Sequence, residues 1–259
     1  MKALLKWMAL HVVLLSVMIG LWALAIQVFQ VPTWILPKPS RVLAALSSGL
    51  LGGAYWPHIA FTVSAVVGGF AIGCSLAVVT AIAFVELPWL DRALNPYVVA
   101  LQSMPKVALA PLIIVWFGFG LASKVVMVSL ICFFPMFINT VVGLRATNPS
   151  LIDLMRVYSA SRWRILSRIK LPSAAGHIFA GLQIAVMLSL IGAIVAEFVS
   201  SSRGLGYLIN SAAVTMSTDT MFAGLFCLVV LGLIGSRLIR YLHHRVVFWE
   251  GRVDRTISE

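Results

Sequence analysis

Uncharged apolar stretches long enough to cross a bilayer alternate with short basic segments along the whole chain. A helix that spans the hydrocarbon core of a membrane needs about 20 predominantly apolar residues. Apolar residues make up 61% of this 259-residue chain and charged residues only 10%, whereas soluble domains average about 45–50% and about 25%. The pattern therefore excludes a soluble enzyme and predicts an all-α membrane protein.

The apolar stretches predict six transmembrane helices within a single transmembrane domain that covers residues 1–259. The first stretch is longer than the apolar core of a cleavable signal peptide, which has about 7–15 residues, so we expect it to remain as a span. The predicted spans lie at about residues 7–31, 59–85, 97–120, 125–144, 174–199 and 220–242.

The positions of lysine and arginine predict the orientation, because positive residues in short loops stay in the cytoplasm. With the N-terminus inside, six spans place fourteen of the nineteen basic residues on the cytoplasmic side. Both termini are then cytoplasmic, and residues 145–173 form a cytoplasmic loop. The remaining basic residues are Lys106 within the membrane and Lys38, Arg41, Lys124 and Arg203 outside.

The sequence does not indicate nucleic-acid binding, catalysis or a metal site. The net charge of +11 comes from residues that alternate with spans instead of lining one polar surface. No zinc-protease, serine-protease or CxxC motif is present, so we predict no catalytic residue, no metal ligand and no cofactor on this chain. Gly68–Ser75 has phosphate-loop spacing but carries Cys74 in place of the required lysine, so Gly69 and Gly73 are interpreted as a helix-packing face.

Two prolines interrupt the third stretch. Pro105 and Pro111 each remove a helical hydrogen bond, and a broken turn is tolerated in a bilayer only where protein or a water-filled cavity meets it. Gln102, Ser103 and Lys106 flank this break. One interpretation is a packing kink from which the lysine reaches the membrane surface. The other is a segment that lines or gates a transport pathway, because ionisable residues at membrane depth are costly.

Glu197 is the carboxylate that borders the apolar part of the fifth stretch, near its outer end. It lies in the headgroup region, faces a lumen, or pairs with a cation such as Arg203. A structural or gating role is favoured over direct contact with a substrate.

The cytoplasmic loop contains an amphipathic segment. Leu151, Leu154, Met155 and Tyr158 recur at helical spacing, and basic residues follow them. Such a helix either lies on anionic lipid or inserts its apolar side chains into a groove of a soluble partner.

The same loop resembles the cytoplasmic signature of the transmembrane permeases of binding-protein-dependent ABC importers. That signature reads E-A-A, three residues, G, nine residues and I-x-L-P. Its acidic, alanine and glycine positions are substituted in this chain, while the I-x-L-P end is intact. The residues at the signature positions are Asp153, Leu154, Met155, Ser159, Ile169, Leu171 and Pro172.

Other segments, between about Pro37 and Asp219, resemble the aliphatic-sulfonate, taurine and nitrate branch of this family. They include Gln102-Ser103-Met104-Pro105, Trp116-Phe117-Gly118, Phe134-Pro135 with Asn139-Thr140, and Gly204-Leu205-Gly206-Tyr207.

The resemblance implies a type I ABC importer permease fold in the inner (cytoplasmic) membrane of a bacterial cell. It further implies a homodimer, two copies of a cytoplasmic ABC ATPase that bind ATP and Mg, and a soluble periplasmic or lipid-anchored binding protein. Asp153 is expected to cap or orient the loop helix. The implied ATPase-coupling residues are Asp153, Leu154, Met155, Tyr158, Ser159, Ala160, Ser161, Ile169, Leu171 and Pro172. The implied pathway or gate residues are Gln102, Ser103, Pro105, Lys106, Pro111, Asn139 and Glu197.

The favoured substrate is a small anion such as a sulfonate, taurine or nitrate, with Lys106 and Arg203 as the cationic candidates. An aromatic carboxylate or a vitamin precursor such as hydroxymethylpyrimidine is also compatible. Two alternatives use the same residues differently. An ion-gradient-driven carrier would work without an ATPase, with Glu197 and Lys106 as its coupling pair, and a membrane anchor or scaffold would transport nothing.

Overall fold

The computed structural model describes residues 2–249, and it describes their side chains except for residues 2–9, 11, 12 and 15. Within this part the chain forms helices and turns and contains no strand. The side chains of Lys2, Lys6, Arg252 and Arg255 lie outside those described. Their cytoplasmic placement therefore stays a prediction. The helices are α1 Lys2–Val28, α2 Pro39–Leu51, α3 Trp56–Glu86, α4 Pro88–Ser103, α5 Ala110–Phe117, α6 Leu121–Arg145, α7 Pro149–Val157, α8 Arg162–Ile165, α9 Leu171–Val199, α10 Leu205–Val214 and α11 Thr218–Val246.

Among the described residues, four helical segments are long and apolar enough to cross a membrane. They contain the predicted stretches 59–85, 125–144, 174–199 and 220–242. A bent pair, Pro88–Ser103 with Lys106–Phe117, makes a fifth if it forms one span. The first predicted stretch, 7–31, lies mostly in α1. Within α1, the segment Ser16–Val28 is apolar but is too short to be counted as a span. Six spans therefore stays a prediction. The four long segments are Trp56–Glu86, Leu121–Arg145, Arg162–Val199 and Thr218–Val246.

Helices α3, α6 and α9 form the centre of the molecule, and small residues bring them together. Apolar side chains gain little from leaving lipid for protein, so close backbone approach and interhelical hydrogen bonds favour association in a membrane. The Ser129 hydroxyl of α6 donates to the Gly69 carbonyl of α3 at 3.0 Å. A Cβ on Gly73 would lie 2.8 Å from the Ser129 Cα. These contacts confirm Gly69 and Gly73 as a helix-packing face.

The contact between α6 and α9 follows the same rule. Ala185 and Ala193 of α9 are completely buried beside Cys132 of α6, whose thiol donates to the Ala185 carbonyl at 3.3 Å. Gly181 lies where a Cβ would meet Asn139 at 3.0 Å. Elsewhere the same helices carry exposed apolar side chains such as Val142 of α6 and Ile184 of α9, which suits contact with lipid.

The predicted cytoplasmic loop, residues 145–173, is mostly helical. Helix α8 runs through a π-helical turn, Leu166–Lys170, directly into α9. The helix that contains the fifth predicted span thus begins at Arg162, well before residue 174. Pro172 lies in the first turn of α9, where its missing N–H is tolerated because the preceding π turn rearranges the local hydrogen bonds.

Gly73→Ala should destabilise the protein by about 1–3 kcal/mol, because the added methyl group would overlap the backbone of α6. The matched control is Gly20→Ala in α1, where nothing lies within 4 Å of the new Cβ. This control should be neutral or stabilising by up to about 1 kcal/mol, since alanine favours helix. Thermal unfolding of both variants in one detergent measures the difference, and equal melting temperatures would contradict the close approach.

Candidate functional site

The loop helix α7 begins with a side-chain cap. The Asn148 side chain accepts a hydrogen bond from the Ser150 N–H at 3.0 Å, and Pro149 occupies the first turn, an arrangement typical of helix starts. Asp153 does not cap this helix, because it lies five residues beyond Asn148, and its alternative role in orienting the helix stays a prediction. Its carboxylate instead accepts from Arg156 at 3.0 Å in an exposed ion pair.

One side of α7 and the turn after it is apolar and exposed. We call this the coupling surface and define it by Leu151, Leu154, Val157 and Tyr158, all of which are exposed. Met155 is half-buried. Exposed apolar side chains at the tip of a polar, arginine-rich loop require a covering partner or a lipid surface.

The chain reverses after α7 through a residue with left-handed backbone conformation. Ser159 has φ +54°, and the turn is closed by hydrogen bonds from its N–H to the Arg156 carbonyl at 2.8 Å and from the Ala160 N–H to the Met155 carbonyl at 3.0 Å. Glycine adopts this conformation without strain, so the geometry accounts for the glycine that the family signature has at the position of Ser159. The first half of the signature thus corresponds to the end of α7 and to the turn with left-handed backbone conformation that follows it.

The second half of the loop is fixed to the adjacent ends of α3, α6 and α9. Ser161 caps α8 by accepting from the Arg164 N–H at 3.4 Å. Leu171 packs against a buried cluster formed by Leu144, Leu166 and Ala174. Nearby, the Lys170 ammonium donates to the Glu86 carboxylate at 2.6 Å. Ile169 and Pro172 are half-buried in the same region, so the I-x-L-P residues serve as an anchor.

The third predicted span is broken where the prolines predict a break. Helix α4 ends at Ser103, and a 3₁₀ turn, Lys106–Leu109, follows Pro105 and leads into α5. The two halves meet at 87°. The helix also starts at Pro88, earlier than the predicted residue 97, because Pro88 favours a first helical turn. Gln102, Ser103, Pro105 and Pro111 are exposed around the break.

Lys106 lies beside a cavity of about 460 Å³ between the break, α6 and α9. Its ammonium donates to the Gln102 carbonyl at 3.0 Å and lies 4.6 Å from the centre of the Phe134 ring. Gln102 also lines the cavity. Asn139 lies apart, where its amide donates to the Pro135 carbonyl of its own helix at 2.8 Å. The structure therefore brings together only part of the predicted pathway set.

Glu197 is buried, with 1% of its surface exposed, and it joins three helices. Its Oε1 accepts from the Thr62 hydroxyl of α3 at 2.8 Å, and its Oε2 accepts from the Gly206 N–H of α10 at 2.7 Å. The Thr62 oxygen in turn accepts from the Leu205 N–H at 2.8 Å. Arg203 is exposed and is not among the partners of Glu197, so the suggested pairing is wrong. The burial of Glu197 also excludes its placement among hydrated headgroups.

Lys124 completes this arrangement, which lies at the predicted outer ends of the helices; we call it the outer polar cluster and define it by Thr62, Lys124, Glu197 and Gly206. The basic-residue pattern predicts Lys124 in an outer loop, but it lies in the first turn of α6 with none of its surface exposed. Its ammonium donates to the Phe119 carbonyl at 3.0 Å and to the Ser200 carbonyl. Ser200 directly follows α9, the helix that carries Glu197, so this hydrogen bond of Lys124 ties the end of that helix to α6.

Sequence reasoning missed Thr62, Lys124 and the cap at Asn148. Thr62 and Glu197 are 135 positions apart, and only helix packing makes them neighbours. The signal for Asn148 was present, because Asn-Pro before an amphipathic stretch is a typical helix start. The structure also gives Glu197 and Lys106 separate partners, so they do not form the pair that an ion-gradient carrier would use.

Residues 69–248 match the model of the family described as binding-protein-dependent transport system inner membrane component. The chain belongs to this family. It is 37% identical over 246 residues to the riboflavin transport system permease protein RibX of Chloroflexus aurantiacus, covering 95% of this chain and 92% of RibX. It is 29% identical over 239 residues to the putative aliphatic sulfonates transport permease protein SsuC of Bacillus subtilis, covering 92% of this chain and 87% of SsuC.

The fold agrees with this family. A chain of the MetNI methionine ABC transporter, solved in inward facing conformations, superposes with a TM-score of 0.60 at 20% identity, covering 74% of this chain and 92% of that one. The protein is thus an ABC importer permease for a small solute, a multi-pass protein of the inner membrane, and ATP hydrolysis in this family belongs to a separate subunit. The sequence resemblance to this family is confirmed, which decides against the ion-gradient carrier and the scaffold.

Thr62→Val should lower stability by about 1–3 kcal/mol, because it leaves the buried Leu205 N–H and one Glu197 oxygen without their shared partner. Thr80→Val in the same helix is the matched control. Its hydroxyl bonds only to the Leu76 and Ala77 carbonyls of its own helix, so we expect a change within about 0.5 kcal/mol. Thermal unfolding checks both, and a Thr62→Val variant as stable as Thr80→Val would contradict the role of the outer polar cluster.

Proposed function

We propose that this chain is the transmembrane subunit of an ATP-driven importer that contains two copies of it, two copies of a cytoplasmic ABC ATPase, and a soluble periplasmic or lipid-anchored binding protein. Two identical chains related by a twofold axis would line one central pathway. ATP and Mg bind on the ATPase subunits and supply the energy for conformational change. The observation that carries the proposal is the coupling surface, an exposed apolar helix face on a loop that is anchored to the spanning helices.

The proposed coupling works through rigid contacts. Leu154 and its neighbours insert into a groove of the ATPase, which is a common way for an amphipathic helix to bind a partner. Closure of the ATPases on ATP displaces α7, and the anchor at Leu171 and Lys170 passes this displacement to the inner ends of α3, α6 and α9. The ATPase needs only to favour one of two packings of these helices over the other.

The proposed topology has six spans with both termini in the cytoplasm. Basic residues concentrate on the side that carries the coupling loop, as the positive-inside rule predicts. On this side Arg145 at the end of α6 donates to Asp91 near the start of α4 at 2.7 Å. This exposed pair is worth little energetically, but it supports placing the inner ends of α4 and α6 at the same surface.

The transported solute in this proposal is a small anion, with the binding protein supplying most of the selection outside. RibX and SsuC are named for riboflavin and aliphatic sulfonates, so similarity to these relatives supports a solute of this general size and does not choose between them. Lys106, which lies beside a cavity between the spanning helices, supports an anionic solute.

The direct test of the assembly is native mass spectrometry of the tagged chain after gentle extraction from its host membrane. We expect a complex of two 28.1 kDa chains with two copies of a soluble ABC ATPase. A chain that remains free of any ATPase across several mild detergents would overturn the proposal.

Leu154→Glu should uncouple ATP hydrolysis from uptake, because a carboxylate at the centre of the coupling surface cannot enter an apolar groove without a large desolvation cost. Leu154 is 52% exposed, so the variant should fold. The control is Leu51→Glu, the same substitution at an 89% exposed residue at the end of α2. We expect at least a tenfold loss of uptake for Leu154→Glu, corresponding to about 1.4 kcal/mol, and normal uptake for Leu51→Glu. Equal uptake at equal expression would contradict the assignment.

A further inference from the structure

The cavity beside Lys106 lies well inside the spanning helices α6 and α9 and away from their ends. Along α6, Phe134 is thirteen residues from the outer end at Leu121, a rise of about 20 Å. Along α9, Leu188 is eleven residues from the outer end at Val199, a rise of about 16 Å. The hydrocarbon core is about 30 Å thick, so both walls meet the cavity close to its midplane.

The hydrogen bonds of Lys106 leave part of its ammonium group unused. A lysine ammonium has three donors. Lys106 uses one on the Gln102 carbonyl and rests against the Phe134 ring. The ion pairs among the described residues are Arg145–Asp91, Arg156–Asp153 and Lys170–Glu86, so none of them neutralises Lys106.

The second lysine within a spanning helix shows what a purely structural cation looks like in this protein. Lys124 is fully buried and donates to two backbone carbonyls. Lys106 is only partly buried and borders open volume. A cation at membrane depth is expensive unless it faces a cavity or a partner, and the cavity is the feature that distinguishes Lys106.

The walls of the cavity are apolar apart from Gln102 and Lys106. Val107, Ile131, Phe134, Pro135, Ile138, Leu188 and Ile191 supply them. A volume of about 460 Å³ falls in the range of small-molecule sites, about 300–1,000 Å³. Such a space exceeds what a small inorganic anion fills, and its apolar walls would strip the water of such an ion without replacing its hydrogen bonds.

We propose that this cavity is a transit site for organic anions, in which Lys106 binds the acid group and the Phe134 ring and the aliphatic walls contact an apolar or aromatic body. This inference rests on the proposed function and assigns a substrate class to its pathway. The single cation gives modest affinity, which suits a site that a solute must also leave. Because Lys106 follows the break at Pro105, a change in the angle between α4 and α5 would move its ammonium relative to Phe134.

The test measures binding of 2-naphthalenesulfonate to the full-length chain in nanodiscs of neutral phosphatidylcholine, by equilibrium dialysis. The variants are Lys106→Gln, which removes the charge, Lys106→Arg, which keeps it, and Phe134→Leu, which removes the ring. Arg41→Gln, at an exposed cation of α2, is the matched control. The uncharged analogue 2-naphthalenemethanol reports binding to the apolar walls alone.

We expect Lys106→Gln to weaken sulfonate binding about tenfold or more, the size of one lost charge-assisted hydrogen bond. Lys106→Arg should stay within about threefold of the original chain, and Phe134→Leu should lose about threefold to tenfold. Arg41→Gln should change nothing, and 2-naphthalenemethanol should bind equally to the original chain and to Lys106→Gln.

Equal sulfonate binding by the original chain and Lys106→Gln, including absence of binding by both, would overturn the inference. Displacement of the probe by phosphatidylglycerol in the nanodisc would overturn it as well, because the cavity would then be a lipid headgroup site. Neither result touches the assembly with an ATPase, which the mass spectrometry experiment tests separately. Failure of the substrate class and failure of the importer assignment are thus distinguishable.

Discussion

Inside a bilayer, every backbone N–H and C=O group needs a partner within the protein, because no water is available to replace it. This requirement makes the chain helical and makes each interruption of a helix informative. At the junction where α9 stops and α10 starts, Thr62, Glu197 and Lys124 take up the freed backbone groups. At the break around Pro105, the Lys106 ammonium takes up the Gln102 carbonyl, and the Ala108 N–H donates to the Pro105 carbonyl. The first interruption is closed by the protein itself, and the second is left beside a cavity.

The two ends of the molecule are connected by one long helical segment. Arg162–Val199 extends about 57 Å at 1.5 Å per residue, from the cytoplasmic loop to the outer polar cluster. Small residues hold it against α6, and α6 against α3, so closely that Gly73 has no room for a methyl group. Closely packed helices move as rigid units, because a packed interior switches between discrete arrangements and does not deform continuously. A displacement at the coupling surface would therefore reach Glu197 and the start of α10 as a shift of whole helices.

Lys106 and Lys124 show that burial and hydrogen bonding decide which role a lysine has in this protein. From the sequence, Lys124 belongs to an outer loop and Lys106 is the intramembrane cation. In the structure, Lys124 is the more deeply buried and the better satisfied of the two. Lys106 keeps unused donors beside an apolar space. The same side chain is thus a structural connector in one place and a candidate ligand-binding group in the other.

The sequence by itself determined the helical membrane fold, the break at Pro105, the packing face at Gly69 and Gly73, and the family. These follow, in that order, from apolar length, proline chemistry, glycine spacing and the I-x-L-P motif. All four are local properties of the chain. The sequence placed the loop helix but misassigned its cap, although Asn148-Pro149 was available to be recognised. Only the tertiary structure decided the partners of Glu197, the burial of Lys124 and the position of Lys106 against Phe134. Each of these depends on residues far apart in the chain meeting across packed helices, and no local pattern encodes which faces of those helices come together.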